Sequence, residues 1–129
     1  MAPVLTVRRI YEAPTPEDGY RMLVDRLWPR GVKKAEAAID EWARDVAPSA
    51  DLRRWYGHQP ERFDEFARRY RAELAAAPAA DAVAGLVIRL RQGPVTLLTA
   101  TRDVERSGAA VLAEHLADIT TQGDRSVGR

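Results

Sequence analysis

The chain has 129 residues, 20 Lys+Arg against 19 Asp+Glu, no cysteine, 46% hydrophobic residues and 30% charged ones. This length suits one domain with a real core, the apolar content excludes wholesale disorder, and the missing thiols exclude a disulfide scaffold, a thiolate metal site and a cysteine nucleophile. A formal charge of +1 argues against broad nonspecific nucleic-acid binding, and no apolar run approaches the roughly 20 residues of a membrane span, nor does a charged-then-apolar leader open the chain, so a soluble, cytoplasmic protein with no membrane partner is expected.

Val4 to Ile10 is rich in branched aliphatics and predicts a strand, closed by Tyr11-Glu12 and the turn-forming run from Ala13 to Gly19. A second strand is expected over Tyr20 to Asp25, after which Trp28-Pro29-Arg30-Gly31 forces a turn. From Lys33 to Asp45 the pattern predicts a helix with Ala35, Ala38, Ile39 and Trp42 on one side, stopped at Pro48-Ser49. Ser49 suits the N-cap of a short helix through Leu52 and Trp55, and Gly57 its C-terminal cap. Pro60 suits the first turn of the next helix, on which Phe63, Phe66, Ala67, Tyr70 and Leu74 recur at intervals of three and four opposite a charged, solvated face.

Ala75 to Ala80 predicts an inter-helix turn, and Val83, Leu86, Val87 and Leu90 mark an amphipathic helix closed by Gly93-Pro94. Val95 to Ala100 is short and nearly all apolar or β-branched, the pattern of a strand covered on both faces. The last helix is expected from about Glu105 to Ala117, and residues 120–129 lack apolar periodicity, which predicts a disordered tail. The sum is one α/β domain over residues 1–119, a small, partly parallel sheet of about three strands covered by four or five helices.

Ligands of open α/β sheets sit beyond the carboxyl ends of strands. Two segments meet that description: Asp25 to Gly31, and Thr99-Ala100-Thr101-Arg102-Asp103 with Ser107-Gly108 behind it. If the two strands are parallel neighbours, both loops open on one edge and bring Arg26, Arg30 and Arg102 toward free backbone N–H groups, an anion site. Arg26 has the alternative of pairing with Asp25 or Asp103, whereas Arg30 has no close carboxylate in sequence. Trp28 is either a stacking surface or a core plug beside Pro29. Asp25 is expected first in an ion pair, with general base or metal ligand as other roles, and His58 is a proton carrier or a cap for the following helix. His115 and His58 are too differently placed for a metal cluster, and no Walker loop, GxGxxG, GxSxG or HExxH is present. No metal and no cofactor are expected. The 18 Arg against 2 Lys reflect a compositional bias alongside abundant alanine, so each arginine is judged by position.

The run from Asp18 to Gly31, containing Asp25-Arg26-Leu27-Trp28-Pro29-Arg30-Gly31, closely resembles the signature of the YeaO-like family, domain of unknown function 488. So do Ala47-Pro48-Ser49, Leu52-Arg53, Trp55-Tyr56, His58 to Phe63, Phe66, Arg69-Tyr70, Thr96-Leu97-Leu98, Ala100 and Asp103, a likeness extending over roughly Val7 to Leu116. The resemblance implies a Rossmann-like layered core in a small bacterial or archaeal cytoplasmic protein, and it implies no particular reaction. Arg102-Asp103 stands where many relatives carry Lys-Asp, Ser107 where many carry Asn, and Tyr11-Glu12 replaces a common Tyr-Asp. A related subgroup carries Cys-His-Arg near the last helix; this chain lacks that cysteine and histidine, so a thiol mechanism does not transfer.

The leading expectation is a domain binding a small anionic or nucleotide-like ligand through Arg26, Arg30 and Arg102, with Asp25, Trp28, Trp55, His58, Asp103 and Ser107 around it. Catalysis stays open; if it occurs, His58 or Asp25 would move protons while the arginines stabilise negative charge. The alternative is a protein interaction module or a structural homodimer without catalysis. Nucleic-acid binding ranks last: seven basic residues before Ala35 oppose Glu12, Glu17, Asp18 and Asp25, and strand alternation splits them between two faces.

Overall fold

The computed structural model describes the backbone of residues 4–127 and the side chains of residues 4–121. Four strands, β1 (Leu5–Arg9), β2 (Tyr20–Leu23), β3 (Glu41–Trp42) and β4 (Val95–Thr99), form one sheet in the order β1-β4-β2-β3. Every pairing is parallel: Leu5 lies opposite Val95, Tyr20 also opposite Val95 from the other side, and Met22 opposite Glu41. The expected α/β class and small parallel sheet are present, with β3 as a strand the apolar pattern did not reveal.

All five residues of β4 are buried, as suits an apolar and β-branched run in a central parallel strand. Alternation sends Val95 and Leu97 to one face and Leu98 to the other. On the first face, Met22, Val24, Val95 and Leu97 join the main core, built with residues of α1 (Ala50–Tyr56), α2 (Phe63–Leu74), α3 (Ala79–Gln92) and α4 (Gly108–Val127). On the second face, Ile10, Leu23 and Leu98 form a smaller core closed by Trp28, Val32, Ile39 and Trp42, all from the chain between β2 and the end of β3.

That cover is the clearest departure from expectation, because residues 33–45 do not form the expected helix: they run through turns into β3 and a 3-10 turn at Arg44–Val46. Arg21 on β2 is 5% exposed, and its guanidinium must find acceptors. It takes the Ala38 carbonyl at 2.8 Å and the Ala37 carbonyl at 3.5 Å. Both oxygens would be engaged inside a helix. The backbone of Asp40 also exchanges with β2, its N–H donating to the Arg21 carbonyl and its carboxylate accepting the Arg21 N–H, each at 2.8 Å. Ala38 takes a left-handed backbone with φ 51°, so the local helical propensity yields to tertiary hydrogen bonding.

Arg21 also pairs with Asp18, whose other hydrogen bonds come from Arg8 (2.8 Å), Thr15 N–H (3.0 Å) and Thr15 Oγ1 (2.8 Å). Burial alone would raise the Asp18 carboxyl, but these donors together hold it well below the usual carboxylate range. The next residue, Gly19, has φ 64° and lies so close to Pro94 that a Cβ would meet its carbonyl oxygen at 2.3 Å.

The caps follow the local sequence. Ser49 Oγ accepts the Leu52 N–H at 3.1 Å to open α1, and Gly57, at φ 53°, closes it in the left-handed region. Pro60–Arg62 makes a 3-10 turn into α2, and Val104–Arg106 another before α4, whose start is thus Gly108 and not Glu105. The expected tail at 120–129 falls largely outside the described side chains; the backbone of α4 continues through Val127. Among the described residues no helix is long and apolar enough to cross a membrane.

Candidate functional site

β2 and β4 are parallel neighbours, joined past their paired residues by the Val24 N–H donating to the Leu98 carbonyl at 3.1 Å. The chain leaves β2 to cover the small core, and leaves β4 toward α4 in the main core. The two exits therefore diverge to opposite faces of the sheet, which opens a crevice at its carboxyl edge. A cleft of about 590 Å³ lies there, walled by Val24, Leu27, Trp28, Pro29, Pro48, Tyr56 and Phe66. Its charged lining is Arg26, Arg30, Arg53, Arg102 and Arg106 against Asp25 and Asp103, five cations to two anions, with His58 beside them.

Among the described residues Asp25 forms no ion pair, contrary to the first expectation. Its Oδ1 accepts the Thr99 hydroxyl and its Oδ2 the Ala100 N–H, both at 2.8 Å, while its carbonyl accepts the Trp42 indole N–H at 2.8 Å. The carboxylate is thus a strut between the exits of β2 and β4. Burial pushes its carboxyl up, opposed by the Ala100 and Thr99 hydrogen bonds and by nearby His58.

Arg26 takes neither Asp25 nor Asp103, the carboxylates expected as its alternative to a ligand, among the described residues. Its Nε donates to the Pro48 carbonyl at 2.9 Å and its Nη2 to the Ala47 carbonyl at 3.4 Å, tethering the loop after β2 to the segment that enters α1. Asp103 pairs instead with Arg106 at 2.9 Å. Arg30, Arg53 and Arg102 are exposed on the cleft, and among the described residues none of them forms an ion pair.

Trp28 lines the cleft, but its ring is committed to the small core: the indole N–H donates to the Val32 carbonyl at 2.7 Å, and the ring meets Trp42 edge-on at 5.3 Å between centroids. Trp55 is not part of the cleft. Consecutive residues of a helix point about 100° apart, so Tyr56 turns inward while Trp55 lies under Arg62 of the 3-10 turn and Arg69 of α2, whose guanidiniums sit over its ring at 5.3 and 4.3 Å. His58 reaches the cleft from an exposed, left-handed backbone with φ 57°, immediately after Gly57.

Ser107 is buried, and its hydroxyl is used by the fold. It donates to the Val104 carbonyl at 2.6 Å and accepts the Ala110 N–H at 3.1 Å, capping α4. It positions the start of that helix, where Gly108 lines the cleft.

Among the polar lining residues, Arg53, Tyr56 and Arg106 are not among the expected site residues. Tyr56 stacks on Phe66 at 4.2 Å and donates its hydroxyl to the Arg106 carbonyl at 2.7 Å, bringing the end of α1 against the loop after β4. Burial raises the Tyr56 phenol, which keeps it a donor. Arg53 sits one helical turn before Gly57, and that spacing from the cap was the available signal. Among the described residues no three His, Cys, Asp or Glu side chains come together in a way that could hold a metal ion.

Uncharacterized protein Rv3073c of Mycobacterium tuberculosis is 53% identical over 112 residues, covering 85% of this chain and 91% of that protein. Uncharacterized protein YeaO of Escherichia coli is 37% identical over 112 residues, covering 87% of this chain and 96% of its own. No solved structure matches. The family model DUF488-N3i, described as the inactive DUF488-N3 subclade, matches residues 4–128, and with that span the chain belongs to the YeaO-like DUF488 proteins.

Proposed function

We propose that the protein binds a small anionic organic ligand in the cleft at the carboxyl edge of the sheet, without turning it over. The observation that carries this is the set Arg30, Arg53 and Arg102, three guanidiniums on one cleft with no ion-pair partner among the described residues. Guanidinium groups favour phosphate and carboxylate because they present a rigid fork of donors. The cleft volume falls within the span of about 300–1,000 Å³ that organic ligands occupy, and its wall is largely apolar.

Binding without turnover is supported by two features. Both Asp25 oxygens are already engaged by Thr99 and Ala100, which suits a fixed acceptor better than a mobile base. The description of the matching family model as an inactive subclade points the same way.

A thermal-shift panel of phosphate and carboxylate metabolites tests the proposal. A ligand present at 100 times its Kd stabilises the fold by about 2.7 kcal/mol, and Arg30→Ala is expected to abolish the shift while the unliganded melting temperature stays the same. A panel without a single stabilising anion, or one on which Arg30→Ala has no effect, refutes it.

A further inference from the structure

The cleft joins two unlike elements: free guanidiniums and one rigid carboxylate. Asp25 is held at three points, through Thr99, Ala100 and Trp42, so its position does not adapt to a ligand. Each carboxylate oxygen has a second lone pair beyond the protein donor it already accepts. In a cleft meant for a bare anion, a fixed carboxylate is a liability, because like charges repel at close quarters. The same carboxylate is an asset when the ligand carries hydroxyl or amino hydrogens on the side away from its charge.

Charge sets the other end. The Asp103 carboxylate is neutralised by Arg106, and the Arg26 cation offsets Asp25 within the lining. Arg30, Arg53 and Arg102 remain, which suits a group of about −1.5 to −2 such as a phosphate monoester better than a single carboxylate.

Resting on the anion-binding reading above, we infer that the ligand is a hydroxylated phosphate monoester, of the sugar phosphate or nucleoside phosphate kind, with its phosphate on the arginines and a hydroxyl donating to Asp25. The cleft then discriminates by hydroxyl pattern as well as by charge. A site that offers a buried acceptor rejects analogues unable to satisfy it.

Calorimetric titration of the full chain with n-propyl phosphate, ribose 5-phosphate and adenosine monophosphate tests this. At least one hydroxylated ester is expected to bind roughly tenfold or more tighter than n-propyl phosphate, and which of the two does so separates a free sugar from a nucleoside. Asp25→Asn is expected to bring that ratio below about threefold. In case the variant folds poorly, carbon-detected titration of Asp25 in the native chain gives a second readout: ribose 5-phosphate or adenosine monophosphate should move it, with n-propyl phosphate producing a smaller effect. Equal affinities for all three esters, or a preference that survives Asp25→Asn, overturn the inference and leave the anion site standing. Absence of binding by every ester also overturns the inference while leaving a carboxylate ligand to the anion site; binding that Arg30→Ala does not weaken removes both.

Discussion

Asp25, at the exit of β2, accepts a 2.8 Å hydrogen bond from the Thr99 hydroxyl at the end of β4. The floor of the cleft is therefore also the joint between the two central strands. Thr99 is 1% exposed, so Thr99→Val removes a donor where water cannot replace it. The variant is expected to lose about 1–3 kcal/mol of stability in urea unfolding and to raise the Asp25 carboxyl further. An Asp25 titration that does not change in Thr99→Val would show that the bond contributes nothing in solution.

Asp18 and Asp25 should titrate stability with opposite sign. The folded-state value of Asp18 is depressed, so its contribution is present above the ordinary carboxylate range near pH 4 and is lost as pH falls toward the folded value. Asp18→Asn is expected to cost about 3 kcal/mol at neutral pH, with the gap to the native chain narrowing in acid. Asp25 is raised by burial, so the folded state binds its proton more readily than the unfolded chain does, and its contribution falls as pH climbs from the ordinary range through the raised value. Stability measured from acid to neutral pH on both Asn variants checks the two slopes; slopes of the same sign would contradict the assignment.

The glycines make a paired test. Gly19→Ala combines a positive φ with a Cβ only 2.3 Å from the Pro94 oxygen, and should cost about 3 kcal/mol or more. Gly85 lies inside α3, where a Cβ would find nothing within 4 Å, so Gly85→Ala should stabilise by about 0.5–1 kcal/mol. Chemical denaturation of both variants reads the difference directly, and a tolerated Gly19→Ala would show that the approach to Pro94 relaxes.

The lining arginines should separate into two groups. Arg26 is hydrogen-bonded to Pro48 and Ala47, and Arg26→Ala should cost about 1–3 kcal/mol of stability. Arg30→Ala, Arg53→Ala and Arg102→Ala remove exposed groups that form no ion pair among the described residues, and should leave stability within about 0.5 kcal/mol. Melting curves without ligand decide it; a large loss in the second group would mean that those cations serve the fold.

Much of this arrangement was legible from residue order. The apolar and β-branched run of Val95 to Ala100 pointed to a strand covered on both faces, and a strand expected over Tyr20 to Asp25, once it is its parallel neighbour, puts Asp25, Arg26, Arg30 and Arg102 on one cleft. Ser49 and Gly57 marked the ends of α1 through local capping chemistry. What failed depended on partners distant in sequence. The alanines at 35–38 have good helical propensity, but the carbonyls of Ala37 and Ala38 are recruited by Arg21 from another element. Arg53 and Arg106 join the cleft through the packing of Tyr56 on Phe66 and its bond to the Arg106 carbonyl, a contact across 50 residues. Trp55 falls outside the cleft for a simpler reason, since its neighbour Tyr56 occupies the inward direction on the same helix.

The irregular cover over the small core has a thermodynamic consequence. A helix there would carry its own ladder of protected amides, whereas the segment between Asp25 and Trp42 is fastened chiefly at separate points: Arg21 with Ala38 and Asp40, and Trp42 with Asp25. Such a segment is expected to exchange its amides at a lower free energy than the helices of the main core. Arg30 belongs to this cover and Arg102 to the loop leaving β4, so a ligand gripping both would act as a clasp, and deuterium uptake across residues 26–40 would slow in its presence.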